Sequence, residues 1–256
     1  MALDMDRLSR TAKAGLRSLG DFIWPPRSLV TGQSHDGQGL IPPEDFASLS
    51  FLNGSGCRLC AVPTESDLGD ATLCGPCAAK PPRWQAARAA VEYDDASRKA
   101  VLDLKRAGRR DGLPVYASWM ALAGADILPD ADLIVPVPLH YRRLASRGFN
   151  QSGWLAAAVG RRAQRPVCND ALVRRKPTPS QGGLTARERR RNVRGAFAVR
   201  HGRETRIDGA NIVLIDDVYT TGATLSACTR ALLKGNAASV SVLVLARVVR
   251  PTDITI

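Results

Sequence analysis

Residues 212 to 224 read Ile-Val-Leu-Ile-Asp-Asp-Val-Tyr-Thr-Thr-Gly-Ala-Thr. Four consecutive apolar residues, Ile212 to Ile215, mark a strand buried on both faces, which is the pattern of a parallel sheet. Parallel strands need helical crossovers, so the line commits the chain to an α/β fold that takes its ligand at the carboxyl ends of the strands. Asp216 and Asp217 stand at that end. Paired carboxylates accept hydrogen bonds from vicinal hydroxyls, such as those of a ribose, and invite Mg²⁺. Thr220, Thr221, Gly222, Ala223 and Thr224 follow with hydroxyls and backbone N–H groups. A helix expected from about Thr224 adds its positive end, and the three together suit a monophosphate. A strand running into a capped helix also favours Asp and Thr, but a cap uses one such residue and this loop carries several.

These thirteen residues resemble the phosphoribosyl pyrophosphate (PRPP) motif of type I phosphoribosyltransferases: apolar strand, two acids, then Thr-Thr-Gly-x-Thr. The resemblance implies a catalytic pair, Asp216 and Asp217, holding the ribose hydroxyls, and a loop over Thr220 to Thr224 holding the 5′-phosphate. It names a ligand and leaves the reaction open.

With 256 residues the chain has room for one sizeable domain and something small beside it. No stretch approaches the ~18 consecutive apolar residues of a membrane span. Asp4 and Asp6 sit where a signal peptide would be basic and then apolar, so a cytoplasmic protein without a membrane span is expected. The net charge of +12 is unevenly spread. Between Arg174 and Arg200 nine basic residues face one acid, Glu188. Such a run fits a solvated helix face, a pyrophosphate-like small polyanion or a nucleic-acid backbone.

Composition divides the chain into four parts. Met5, Leu8, Ala12, Leu16, Leu19 and Ile23 recur every three or four residues, so residues 1–26 predict an amphipathic helix ended by Trp24-Pro25-Pro26. Residues 27–56 are irregular and rich in Gly, Ser and Pro, and residues 57–82 carry four of the six cysteines. Residues 83–256 alternate strands near 89–93, 133–137, 171–173, 212–216 and 239–246 with helices near 95–106, 113–125, 151–162 and 224–234. That alternation predicts a parallel sheet flanked by helices.

Cys57-Arg-Leu-Cys60 and Cys74-Gly-Pro-Cys77 are two Cys-x-x-Cys knuckles with thirteen residues between them. The spacing can place four thiolates around one structural zinc, leaving no open position for catalysis. Redox pairs do not come as two knuckles. So small and irregular a segment would draw most of its folding free energy from the metal.

Residues 135–151, Val-Pro-Val-Pro-Leu-His-Tyr-Arg-Arg-Leu-Ala-Ser-Arg-Gly-Phe-Asn-Gln, are similar to a segment of the ComF-like family, in which two zinc-ribbon modules often precede a type I phosphoribosyltransferase domain. On that resemblance 27–56 is a degenerate first module, with Ser28, Thr31, Ile41 and Glu44 at the ligand positions and apolar packing through Phe22, Trp24, Leu40, Phe46 and Leu49. Composition alone also allows a linker there. The resemblance further implies a pyrophosphate loop from Pro138 to about Arg147, with Arg142, Arg143 and Arg147 on the pyrophosphate. Guanidinium groups suit it because they make paired hydrogen bonds to its oxygens. His140 reads as a loop histidine. Residues 178–197, with Pro and paired Gly among polar residues, resemble the flap that closes over PRPP and excludes water.

Two function classes follow. One is Mg²⁺-dependent transfer of a phosphoribosyl group from PRPP to a nitrogen acceptor. The other comes with the family's link to competence: an accessory protein that binds single-stranded DNA alongside competence or DNA-processing proteins, with PRPP as a regulatory ligand. Aromatic residues are scarce in the basic 174–200 run, where Phe197 stands alone, so its nucleic-acid signal is electrostatic only.

Overall fold

The computed structural model describes residues 26–35, 39–52, 56–64, 72–106, 110–175, 188, 191, 193 and 195–249. The helix expected over 5–23, with Phe22 and Trp24, and most of the expected flap lie outside them. The chain divides between Leu49 and Ser50 into two compact units.

In the smaller unit, Ser28 organises a tight turn. Its Oγ accepts the N–H groups of Val30 at 3.0 Å and Thr31 at 3.3 Å, and Leu29 N–H donates to the Leu40 carbonyl at 2.9 Å. Helix α1, Pro43–Ala47, starts on a proline, which lacks the N–H that would be orphaned there anyway. Asp45 of α1 accepts the Thr31 hydroxyl at 2.9 Å. Leu29, Val30 and Leu49 are buried, whereas Phe46, expected to pack, is 49% exposed.

In the larger unit the elements run α2 Gly75–Ala79, β1 Ala87–Glu92, α3 Asp95–Arg106, α4 Leu113–Ala123, β2 Leu133–Pro136, α5 Tyr141–Arg147, α6 Gln151–Ala163, β3 Leu172–Arg174, β4 Phe197–Val199, α7 Glu204–Ile207, β5 Asn211–Tyr219, α8 Ala223–Lys234 and β6 Ser239–Arg247. The main sheet is wholly parallel in the order β1-β6-β5-β2. Its centre is apolar on both faces: Ile212 to Ile215 of β5 and Val242 to Ala246 of β6 are almost inaccessible. Helix α3 begins where Asp94 and Ser97 exchange side-chain to backbone hydrogen bonds, a reciprocal cap that satisfies two otherwise orphaned donors.

Three expectations need correction. β5 does not end at Asp216: β6 stays paired with it as far as Tyr219 opposite Arg247, whereas β2 stops at Pro136 opposite Ile215. Both acids therefore sit inside a strand whose β2-side edge has opened, because Pro136 and Pro138 turn the partner away. The short strand near 171–173 does not join the parallel sheet; as β3 it pairs antiparallel with β4. The expected loop over 138–147 is mostly helix α5, whose first turn is capped by His140 Nδ1 accepting from Arg142 N at 3.3 Å. Gly148 ends it in the left-handed region, which glycine enters without a Cβ penalty.

The cysteine segment is tied into the sheet rather than appended to it. Arg58 carbonyl accepts from Ala87 N of β1 at 2.8 Å, Leu59 carbonyl from the Trp84 indole at 2.7 Å, and Cys60 carbonyl from Arg247 Nε of β6 at 2.8 Å. All four cysteines belong to the same apolar cluster as β1, β5 and β6.

Candidate functional site

The carboxyl ends of β5 and β2, the start of α8 and the N-terminal turn of α6 surround a cavity of about 370 Å³. Asp216 and Asp217 line it from the opened edge of β5. Helix α6 holds both: Ser152 donates to Asp216 at 2.9 Å and the Gln151 amide donates to Asp217 at 3.0 Å. Lys105 of α3 adds an ion pair to Asp217 at 3.2 Å. Asp217 is 5% exposed and keeps its charge matched by these partners. Burial, then the neighbouring Asp217 charge, pushes the Asp216 carboxyl up to about 7, against the pull of the Ser152 hydrogen bond.

The loop beyond β5 completes one wall. Helix α8 starts at Ala223, so Gly222 is its N-cap, at φ +70°. A Cβ there would lie 2.9 Å from the Tyr219 ring, so glycine is demanded twice, by backbone conformation and by space. Thr220, Gly222, Ala223 and Thr224 line the cavity, whereas Thr221 lines the neighbouring one and its hydroxyl is buried. The N–H groups at the first turn of α8 and its dipole make this wall receptive to an anion.

Opposite stand the cations. Arg143 and Arg147, four residues apart on one face of α5, line the cavity; Arg142, the neighbour of Arg143, lies on another face, and its guanidinium lies 5.9 Å from the exposed Tyr141 ring. Arg174 of β3 lines it too. It is 8% exposed, and burial, followed by the nearby Arg143 charge, lowers its proton affinity from the usual arginine range. His140, expected as a loop histidine, is 3% exposed as the cap of α5; burial, then Arg174, lowers its pKa and favours the neutral ring that accepts from Arg142 N.

The four cysteine sulfurs lie within 4.8 Å of one another, with Cys60 and Cys74 3.6 Å apart. A tetrahedral zinc with bonds of about 2.3 Å needs sulfurs about 3.8 Å apart, so the cluster has the right size for one ion. Its electrostatics also ask for a cation. Neighbouring thiols donate to Cys57 and pull its pKa far down, while the hydrogen bond to Cys57 pushes Cys60 up to about 12, and hydrogen bonds to Cys57 and Cys60 drive Cys77 well above the thiol range. Four thiolates can coexist at this distance only around a positive ion.

Comparison with known proteins agrees with this architecture. The phosphoribosyl transferase domain family matches residues 167–253. DNA utilization protein YhgH of Escherichia coli K12 is 34% identical over 197 residues, 75% of this chain and 83% of its own length. Competence protein ComFC of Bacillus subtilis is 32% identical over 165 residues, 62% and 63% of the two chains, and competence protein F of Haemophilus influenzae is 37% identical over 120, 47% and 51%. The chain belongs to the ComF-like family. Orotate phosphoribosyltransferase from Aeropyrum pernix overlies 56% of this chain and 76% of its own at 14% identity and a TM-score of 0.33, too slight a likeness to add weight.

Four residues of this ComF-like site escaped the sequence reading: Lys105, Gln151, Ser152 and Arg174. None belongs to the contiguous ligand line. Gln151 closes the 135–151 segment and Arg174 opens the basic 174–200 run, where each could have been marked; Lys105 carries no local signal. Among the described residues no helix is long and apolar enough to cross a membrane.

Proposed function

We propose that this protein binds PRPP with Mg²⁺ and transfers its phosphoribosyl group to a nitrogen acceptor, releasing pyrophosphate, in the cytoplasm. One observation carries the reading. A single cavity gathers a carboxylate pair, a Thr/Gly loop at a helix N-terminus and three arginines, matching in kind the ribose hydroxyls, 5′-phosphate and pyrophosphate of one ligand. Asp217, steadied by Gln151 and Lys105, and Asp216, steadied by Ser152, accept from the ribose hydroxyls. Backbone N–H groups from Thr220 to Thr224 and the Thr220 and Thr224 hydroxyls hold the 5′-phosphate. Arg143, Arg147 and Arg174 take the pyrophosphate and stabilise its charge as it leaves. When bound, Mg²⁺ shares that task, within reach of the two carboxylates and the substrate's own oxygens. Zinc at Cys57, Cys60, Cys74 and Cys77 is structural. Calorimetry with PRPP and Mg²⁺, followed by a pyrophosphate assay across nucleobases and ammonia, tests the reading; absence of both binding and release overturns it.

A second reading has its own observation. Helix α5 buries none of its residues and exposes Tyr141 at 63% and Leu144 at 44% beside Arg142, Arg143 and Arg147. Just beyond it, Phe149 stacks on Trp154 with centroids 4.2 Å apart, and Arg110 sits 4.2 Å over the Trp154 ring. From Leu133 to Asn169 the chain has six arginines and no acid. Arginines interleaved with aromatic faces suit single-stranded DNA, and the relatives' names, DNA utilization and competence, point the same way. On this reading PRPP is a regulatory ligand, and competence or DNA-processing proteins are the partners. A salt titration of single-strand affinity should give a steep log-log slope; no binding at low salt removes the reading.

A further inference from the structure

Behind the phosphate-binding loop lies a second cavity, of about 480 Å³, which the proposed transfer chemistry does not use. Its walls come from the second cysteine knuckle and the chain after it, from the outer face of α8 and from the end of β6. The apolar part is a corner of aromatic rings: the Trp84 indole and the Tyr219 phenol meet edge to face at 5.9 Å, with Pro81 and Pro82 alongside. Cavities of this size and lining hold one or two fused rings.

The charges narrow the ligand further. Lys80, Arg230 and Arg247 line the cavity, and no acid does so among the described residues. The Cys60, Cys74 and Cys77 side chains form the adjoining wall. Four thiolates around a divalent ion carry two net negative charges, so three cations leave one positive charge in excess. Arg247 is already committed, donating to the carbonyls of Cys60 at 2.8 Å and Thr220 at 3.1 Å. Lys80 and Arg230 are exposed at the surface end, where they can meet a ligand.

We infer that this cavity is a second small-molecule site, for a flat heteroaromatic bearing one negative charge, with the ring against Trp84, Tyr219 and the prolines and the anion at Lys80 and Arg230. It shares Tyr219, Thr220, Gly222 and Ala223 with the first cavity, so its ligand rests on the back of the phosphate loop. That coupling rests on the ribose-phosphate reading; the site itself does not.

The test uses the full chain loaded with zinc, titrated calorimetrically with pyridine-3-carboxylate and with its neutral amide, pyridine-3-carboxamide. The carboxylate should bind about tenfold or more tighter than the amide, as expected for one charge-assisted contact. The double variant Lys80→Met/Arg230→Met, changed at two exposed positions, should lose that preference while its PRPP affinity stays within about twofold, since neither side chain lines the first cavity. The carboxylate should not displace PRPP. No binding of the carboxylate, equal binding of the amide, full binding by the double variant, or competition with PRPP would each overturn the inference. If PRPP itself fails to bind, the proposed function falls while the carboxylate titration still decides this site.

Discussion

At the scale of single residues, Asp216 carries two opposing demands. Its folded pKa of about 7 lies above the ordinary carboxylate value of 3.8, so its contribution to stability is complete below about pH 4 and is lost as pH rises toward 7. Asp216→Asn removes a buried charge and should raise the melting temperature at pH 8 by the equivalent of about 1–2 kcal/mol, a gain that shrinks toward pH 4. The same variant should weaken PRPP binding, because the amide accepts less well from ribose hydroxyls. Thermal scans across pH, paired with calorimetry, read both; a variant less stable than the parent at pH 8 contradicts the account. Gly222→Ala should cost about 1–2 kcal/mol from the left-handed backbone alone, and more from the Tyr219 ring 2.9 Å from the added carbon. Its PRPP affinity should fall at least tenfold, since the N-terminus of α8 must shift.

Among the elements, β5 shows how a motif becomes a site. The apolar run and both acids are contiguous in the chain, so their order was legible; the place where β2 leaves β5 was not. Beyond Ile215 the β2-side edge of β5 is open, and the cavity lined by Asp216 and Asp217 lies there. Helix α5 was hidden for the opposite reason. It buries nothing, so it has no apolar stripe to announce it, and its start depends on the His140 cap. Its two faces make separable claims. Arg143→Ala and Arg147→Ala should each weaken PRPP binding, whereas Arg142→Ala should leave it unchanged and lower the salt slope of single-strand binding by about one. Tyr141→Ala, at a ring 63% exposed, should reduce single-strand affinity by about 1–3 kcal/mol, the worth of one stacked base. Filter binding at several salt concentrations checks both, and a PRPP defect in Arg142→Ala would show the face assignment to be wrong.

For the whole molecule, the cysteine cluster and the phosphate loop are one mechanical unit. Arg247 spans them, with its guanidinium 4.3 Å over Tyr219 and its donors on the carbonyls of Cys60 and Thr220. Zinc held by the four cysteines would add folding free energy, and in this architecture it would also steady the loop through Arg247. Stripping the metal with a chelator, or Cys74→Ser, should lower stability by at least ~3 kcal/mol and the melting temperature by ~6–12 °C. PRPP affinity should fall in parallel, and by linkage PRPP should raise the affinity for zinc measured in equilibrium competition with a chromogenic chelator. Unchanged PRPP affinity after complete zinc removal would uncouple the two sites.

The contiguous ligand line and the cysteine quartet were set by the sequence alone, because each packs its chemistry into a short stretch whose local conformation the residues themselves impose. The α/β alternation was equally readable, since burial on both faces leaves continuous apolar runs. Tertiary structure decided the rest. Gln151 meets Asp217 across 66 residues and Arg247 meets Cys60 across 187, and no local period records such pairings. They exist because a parallel sheet brings the carboxyl ends of distant strands to one edge, where side chains without any pattern in the chain come to share one cavity.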